Sequence, residues 1–174
     1  MRRSYLLLLV AASMPCSTAT FAVEEVLDFP LRKAGLWEVR TETDEGSGPR
    51  KEDLKICIGD EMERNTVLTS GRENRANCSK YDVKKTDEGT VVDALCAYDD
   101  RKVATHTELL GDFATVFRVK MESATSGTAP RALGGQPVNV HRTILQEGKY
   151  LGESCGDLKA GEAKTVDGRT VTVQ

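Results

Sequence analysis

Short runs in which apolar and polar residues alternate, each cut off by a tight turn, constrain this chain most. A side-chain period of two belongs to a β-strand with one buried face. Gly35-Leu-Trp-Glu-Val-Arg-Thr-Glu-Thr43 alternates and is rich in strand formers. Gly46-Ser-Gly-Pro49 turns, and Asp53-Leu-Lys-Ile-Cys-Ile58 alternates again. Gly59 to Val67 opens with acidic residues and predicts the one helix, one or two turns long, with Asp60, Glu61 and Glu63 at its positive end. Ser70 to Asn77 is polar and reads as loop. Cys78–Thr86 and Thr90–Tyr98 are strand patterns around Asp87-Glu88-Gly89. A three-residue loop there sets Tyr81 opposite Leu95, Val83 opposite Asp93 and Cys78 opposite Tyr98.

Arg101–Leu110 and Phe113–Ser123 flank Gly111-Asp112, which reads as a two-residue turn with Gly first. Tight pairing then sets His106 opposite Phe117, Glu108 opposite Thr115 and Ala104 opposite Val119. The expected buried face holds Ala104, His106, Glu108, Leu110, Phe113, Phe117, Val119 and Met121. Thr105, Thr107, Arg118 and Lys120 take the other. Thr125–Gln136, rich in Gly, Ala and Pro, reads as a long loop. Val138, Val140 and Ile144 mark a strand continuing toward Tyr150, with His141 beside Asn139 and Thr143 on its polar face. Ala163–Val173 reads as a hairpin about Asp167-Gly168, or as a frayed tail. Seven or eight short strands predict an all-β fold: an antiparallel meander forming a half-open barrel or a sandwich.

The chain starts with an address. Arg2 and Arg3 precede the apolar run Tyr5–Ala12, and small residues follow. Those are the parts of a secretory signal peptide. The run is too short to span a bilayer, which takes about 20 apolar residues. Cleavage is expected after Ala22, with Ala19 the second choice. Met14 and Pro15 before Cys16 suit lipidation poorly, so Cys16 is expected to leave with the signal. The reading divides the chain into a signal peptide (1–22), a linker (23–34), a β domain (35–156) and a tail or extra hairpin (157–174). Losing residues 1–22 removes two of the 24 basic groups and none of the 27 acidic ones, so the formal charge moves from −3 to −5. Nothing basic is left over to neutralise phosphates, which argues against a nucleic-acid partner.

Four cysteines then remain, Cys57, Cys78, Cys96 and Cys155. An even count in an exported domain reads as two disulfides. A four-thiolate zinc site usually needs C-x-x-C pairs, and the spacings here are 21, 18 and 59. Three connectivities are open. The hairpin register, which sets Cys78 opposite Tyr98 rather than Cys96, points to Cys57–Cys78 with Cys96–Cys155.

Gly35-Leu36-Trp37-Glu38, with Pro30 shortly before it, resembles a bacterial family of exported domains of unknown function, DUF3617. The order that carries the resemblance is a signal peptide, the G-L-W-E segment, Cys57 ahead of a short acidic helix, Cys78, Cys96, and Cys155 after Gly148-Lys-Tyr-Leu-Gly152. It spans roughly residues 30–155. The resemblance implies a periplasmic, disulfide-bearing β domain. It implies no activity and transfers no catalytic residue.

Four residues stand out as ligand-binding candidates. Trp37 reads as a core plug at the first strand or as a cavity wall. Phe117 shares its expected face. His106 and Glu108 would be inward polar groups on an apolar face, either convergent ligand contacts or a satisfied core pair. A metal would need further ligands beside them, and His141 is the one other histidine. No G-x-S-x-G, H-E-x-x-H, phosphate loop or Ser/His/Asp order stands out as a motif worth defending. The expected function is therefore a non-enzymatic periplasmic module that binds a small apolar or amphipathic ligand, without cofactor. The alternative is an envelope interaction or structural module with a filled core.

Overall fold

A computed structural model describes residues 29–128 and 134–173. The signal peptide, its cleavage sites and Cys16 lie outside them. The described chain forms strands β1 (Gly35–Asp44) and β2 (Arg50–Ile58), helix α1 (Asp60–Asn77), and strands β3 (Cys78–Lys85), β4 (Gly89–Tyr98), β5 (Arg101–Gly111), β6 (Val116–Thr128), β7 (Pro137–Gly152), β8 (Glu162–Thr165) and β9 (Thr170–Thr172). All nine strands join one antiparallel sheet in the order β3-β4-β5-β6-β7-β1-β2-β8-β9, which does not close. The all-β reading holds. The Asp167-Gly168 turn makes a true hairpin, whose β8 pairs with β2.

The sheet is strongly coiled, as the helix demands. α1 leaves β2 at Ile58 and delivers the chain to Cys78, six strand positions away. Cys78 also lies level with Val140, far down β7 from the Gly152 end where β2 finishes. On a flat sheet that diagonal is about 50 Å, while 18 helical residues cover about 27 Å. Only a sheet that curls back brings those ends together, and α1 crosses its inner face. Met62 joins the core there, and the Arg75 guanidinium lies 5.4 Å from the Tyr81 ring centroid.

α1 is the one helix among the described residues, but it runs through the segment read as loop. Its half-buried and buried positions are Met62, Glu63, Val67, Leu68, Ser70, Gly71 and Asn74, of which Glu63, Val67, Ser70, Gly71 and Asn74 recur along one stripe at helical spacing. Most are polar or small, so no apolar stripe announces the helix. The Thr125–Gln136 loop is misread at its start, where β6 continues to Thr128, while β7 starts at Pro137, where the loop reading ends.

Both expected hairpin registers are corrected. Thr86 and Gly89 exchange backbone hydrogen bonds, so the β3–β4 turn holds two residues, Asp87 and Glu88. Tyr81 then faces Ala94 and Val83 faces Val92. An extra residue, Ser79, bulges from β3 and shifts the pairing once more, so Cys78 faces Cys96. The β5–β6 connection holds five residues, because Gly111 pairs with Phe117. Asp112 organises it: Oδ1 accepts the backbone N–H groups of Ala114, Thr115 and Val116, and Oδ2 accepts the Thr115 hydroxyl. Those four donors hold the Asp112 carboxyl well below the usual carboxylate range. Phe113, at φ 55°, folds beneath the loop and stacks on Phe117 at 5.5 Å.

The disulfides accordingly join Cys57 to Cys155 and Cys78 to Cys96, with Cα–Cα distances of 5.5 and 3.8 Å. The pairing expected from the hairpin register is overturned, because the short turn and the Ser79 bulge each move that register by one residue. The first of these bridges starts two residues before Gly59, the cap of α1, and the second starts at the residue following α1.

The core lies between the inner face and the start of α1. Trp37, Val39, Ile56, Ile58, Leu109, Phe113 and Phe117 are its buried members. The segment read as linker is part of it from Phe29 onward. Phe29 packs against the core, and the Lys33 N–H donates to the Phe113 carbonyl at 2.8 Å.

Candidate functional site

The four candidate residues divide between the two faces of the sheet. Trp37 and Phe117 point inward, His106 and Glu108 outward. Going from a two- to a five-residue β5–β6 loop is an odd change, and an odd change swaps the faces that match across a hairpin. Leu109 faces Val119 and joins the core, whereas His106 faces Glu122 and Glu108 faces Lys120 outside. The expectation that His106 and Glu108 share a buried face with Phe117 is therefore corrected. The consecutive Leu109 and Leu110 made the strand readable on either face.

Trp37 is fully buried, and its indole N–H donates to the Lys33 carbonyl at 2.7 Å. Phe117 and Tyr150 each lie 5.4 Å from its ring centroid. The Tyr150 hydroxyl donates to the Ala34 carbonyl. Behind the aromatics, Arg32 makes two side-chain hydrogen bonds to Glu63, at 2.7 and 2.8 Å, and its guanidinium stands over Phe117. Glu63 is 3% exposed, so it is the buried partner of Arg32 rather than a surface charge at the helix end. A ligand at Trp37 would have to displace packed side chains, and this end of the barrel is filled core.

On the outer face, the His106 Nδ1 meets the Asp93 carboxylate at 2.8 Å, and Nε2 meets Glu108 at 3.5 Å. The Asp93 hydrogen bond first, with Glu108 adding to it, raises the His106 pKa from 6.5 against a smaller opposing effect of burial. Asp93 is lowered in return, chiefly by the same hydrogen bond. A carboxylate stands at each ring nitrogen, which favours the protonated ring relative to a free imidazole. An open groove of about 380 Å³ beside it is lined by His106, Glu122, His141 and Thr143. No group of three or more His, Cys, Asp or Glu among the described residues is arranged to hold a metal ion.

Sequence reasoning missed a third place. Inner-face positions run past the packed core toward the β6–β7 hairpin tip. There Tyr98, Val103, Val138 and Val140 form a groove of about 280 Å³ with Arg101 and Arg142 beside it. Its three valines are only half-buried. Arg142 also bonds Glu45. Val138 and Val140 were readable as strand, but the wall they make with Val103 exists only once β5, β6 and β7 are in register.

These features define a class: an open, coiled antiparallel sheet, strapped by one helix and two disulfides, with a filled core at one end and, among the described residues, an open groove with an apolar wall at the other. The chain matches the family described as "Protein of unknown function (DUF3617)" over residues 32–155. It belongs to that family. No curated protein and no solved structure matches it. No helix among the described residues is long and apolar enough to cross a membrane.

Proposed function

We propose that this chain is an exported, periplasmic, non-enzymatic binding module whose ligand is a small apolar or amphipathic molecule. The observation that carries the reading is the groove at Tyr98, Val103, Val138 and Val140, an apolar wall beyond the packed core that no described residue covers. Its 280 Å³ sits at the low end for small-molecule sites, which suits a single acyl chain. Arg101 and Arg142 stand where the head of an amphiphile would emerge. The His106 cluster supports a non-enzymatic role, since both imidazole nitrogens are engaged and the face is open to water.

The test is native mass spectrometry of the exported protein incubated with palmitate and with lysophosphatidylcholine. The expected result is a one-to-one complex with at least one of them, lost in Val103→Glu while the far-ultraviolet spectrum stays unchanged. No complex with either probe overturns the reading. A second reading, an envelope interaction or structural module, draws on the solid packing of Trp37, Phe113 and Phe117, and would then stand alone.

A further inference from the structure

We propose that two copies of this chain pair edge to edge through residues 137–141 of β7, joining their sheets into one. β7 is longer than the strand beside it. Its pairing with β1 runs from Gly152 to Thr143, opposite Leu36 to Asp44. Residues 137–142 pair with β6 on one side and with no described strand on the other. Such an edge offers unpaired N–H and C=O groups to any strand that meets it.

The other open edges carry recognised protection. β3 has Lys80, Lys84 and Lys85 and the Ser79 bulge. β9 is three residues long. The part of β2 that β8 leaves uncovered is Arg50-Lys51-Glu52-Asp53, four charges in a row. On β7 the uncovered stretch is Pro137-Val-Asn-Val-His141, with no lysine, carboxylate or bulge; Pro137, which has no N–H, guards its first position alone, leaving Val138 to His141 unguarded.

That stretch complements itself. About a two-fold axis at Asn139, antiparallel pairing sets Val138 opposite Val140 of the second copy, and Val140 opposite its Val138. Asn139 meets Asn139, and Pro137 meets His141. Opposed residues then keep to matching faces, since Val138 and Val140 both point inward with Thr125 and Val103. The four valines of the two copies make one stripe on the inner face, and on the outer face the two Asn139 amides can hydrogen-bond across the axis. No like charges are opposed. Arg142 falls outside the paired residues and keeps Glu45. Shifting the register by two brings Arg142 opposite Val138 and runs the second copy into the chain at Glu45.

With cleavage after Ala22, as the export reading expects, the residues before Phe29 are too few to pair along this edge. Phe29 sits in the core with Phe117, which is level with Gly148. From there to Arg142 is about 20 Å along β7. In a chain starting at Val23, residues 23–28 span at most about 21 Å fully extended, with nothing left to pair.

Sedimentation velocity on the exported, oxidised protein tests this. The expected result is a concentration-dependent dimer at micromolar concentrations. Asn139→Lys and Asn139→Asp, each opposing like charges at the axis, are both expected to weaken it about tenfold or more. A foreign charged strand would instead respond oppositely to Lys and Asp. Asn139→Cys is expected to give a disulfide-linked dimer, whereas Thr143→Cys, on the covered part of β7, is not. Circular dichroism checks that each variant keeps its fold. A protein that stays monomeric, or an Asn139→Cys variant that links no faster than Thr143→Cys, overturns the proposal. The readout is independent of ligand binding, because Asn139 lies on the outer face, away from the groove.

Discussion

Gly148 holds its place because Phe117 lies across it. A Cβ there would stand 2.0 Å from Cε1 of the Phe117 ring, directly opposite in the sheet. Gly148→Ala is expected to cost about 1–3 kcal/mol, the usual range for overpacking a core, read as a lower urea midpoint. An unchanged midpoint would show that the ring is free to swing aside. His106 makes a different kind of claim. Its folded pKa lies above the ordinary 6.5, so its stabilising effect is complete below that pH and fades as pH rises through the raised value. Asp93 is lowered from 3.8, so its effect is complete above that pH and fades as pH falls through the lowered value. Between these limits the pair is intact. In an NMR titration the His106 midpoint is expected above 6.5, and Asp93→Asn is expected to bring it down. No movement in that variant would dismiss the pair. Nothing in the residues around His106 fixed its direction. The Asp112 loop did, by holding five residues where Gly111-Asp112 looked like a two-residue turn.

At the scale of elements, α1 depends on its attachments. Its N-cap, Gly59, has no side chain to bond the first turn. Beyond the first turn, Val67 and Leu68 are its sizeable apolar residues, and both are only half-buried. Disulfides therefore hold both ends, with Arg32–Glu63 inside the first. By chain entropy, the bridge spanning 98 residues is worth about 4–5 kcal/mol and the one spanning 18 about 3. Cys57→Ser/Cys155→Ser should therefore lower stability to denaturant more than Cys78→Ser/Cys96→Ser. The latter pair should lose helical signal at 222 nm first on warming, since it frees the end of α1 farther from the core. The reverse order of stability, or helix and sheet signals that melt together in both, would contradict this account. The strands themselves were legible, because alternation is local. α1 was half legible, because polar residues held by tertiary contacts leave no periodic trace.

For the whole molecule, the outer face of the coiled sheet is a field of paired charges. Opposite charges stand across neighbouring strands, as in Arg40 with Asp53, Arg118 with Glu147 and Lys51 with Glu42. Each exposed pair adds little stability, but together they make an outer wall with few large apolar residues. The export reading makes its own prediction. Produced with residues 1–22 in a Gram-negative host, the purified protein should begin at Val23, and alkylation without reduction should label no cysteine. A chain retaining Met1, or one carrying lipid on Cys16, would refute it.

Sequence alone determined that this chain is a sheet, that Cys57, Cys78, Cys96 and Cys155 are bridged in pairs, and that Trp37 belongs at the first strand. These follow from local alternation, cysteine count and residue size, which need no knowledge of distant neighbours. Tertiary structure decided which cysteines meet, which face His106 takes, and where the inner surface is left bare. Each of those turns on register, and a register is set by one residue more or less in a turn or bulge, a difference that composition and periodicity do not record.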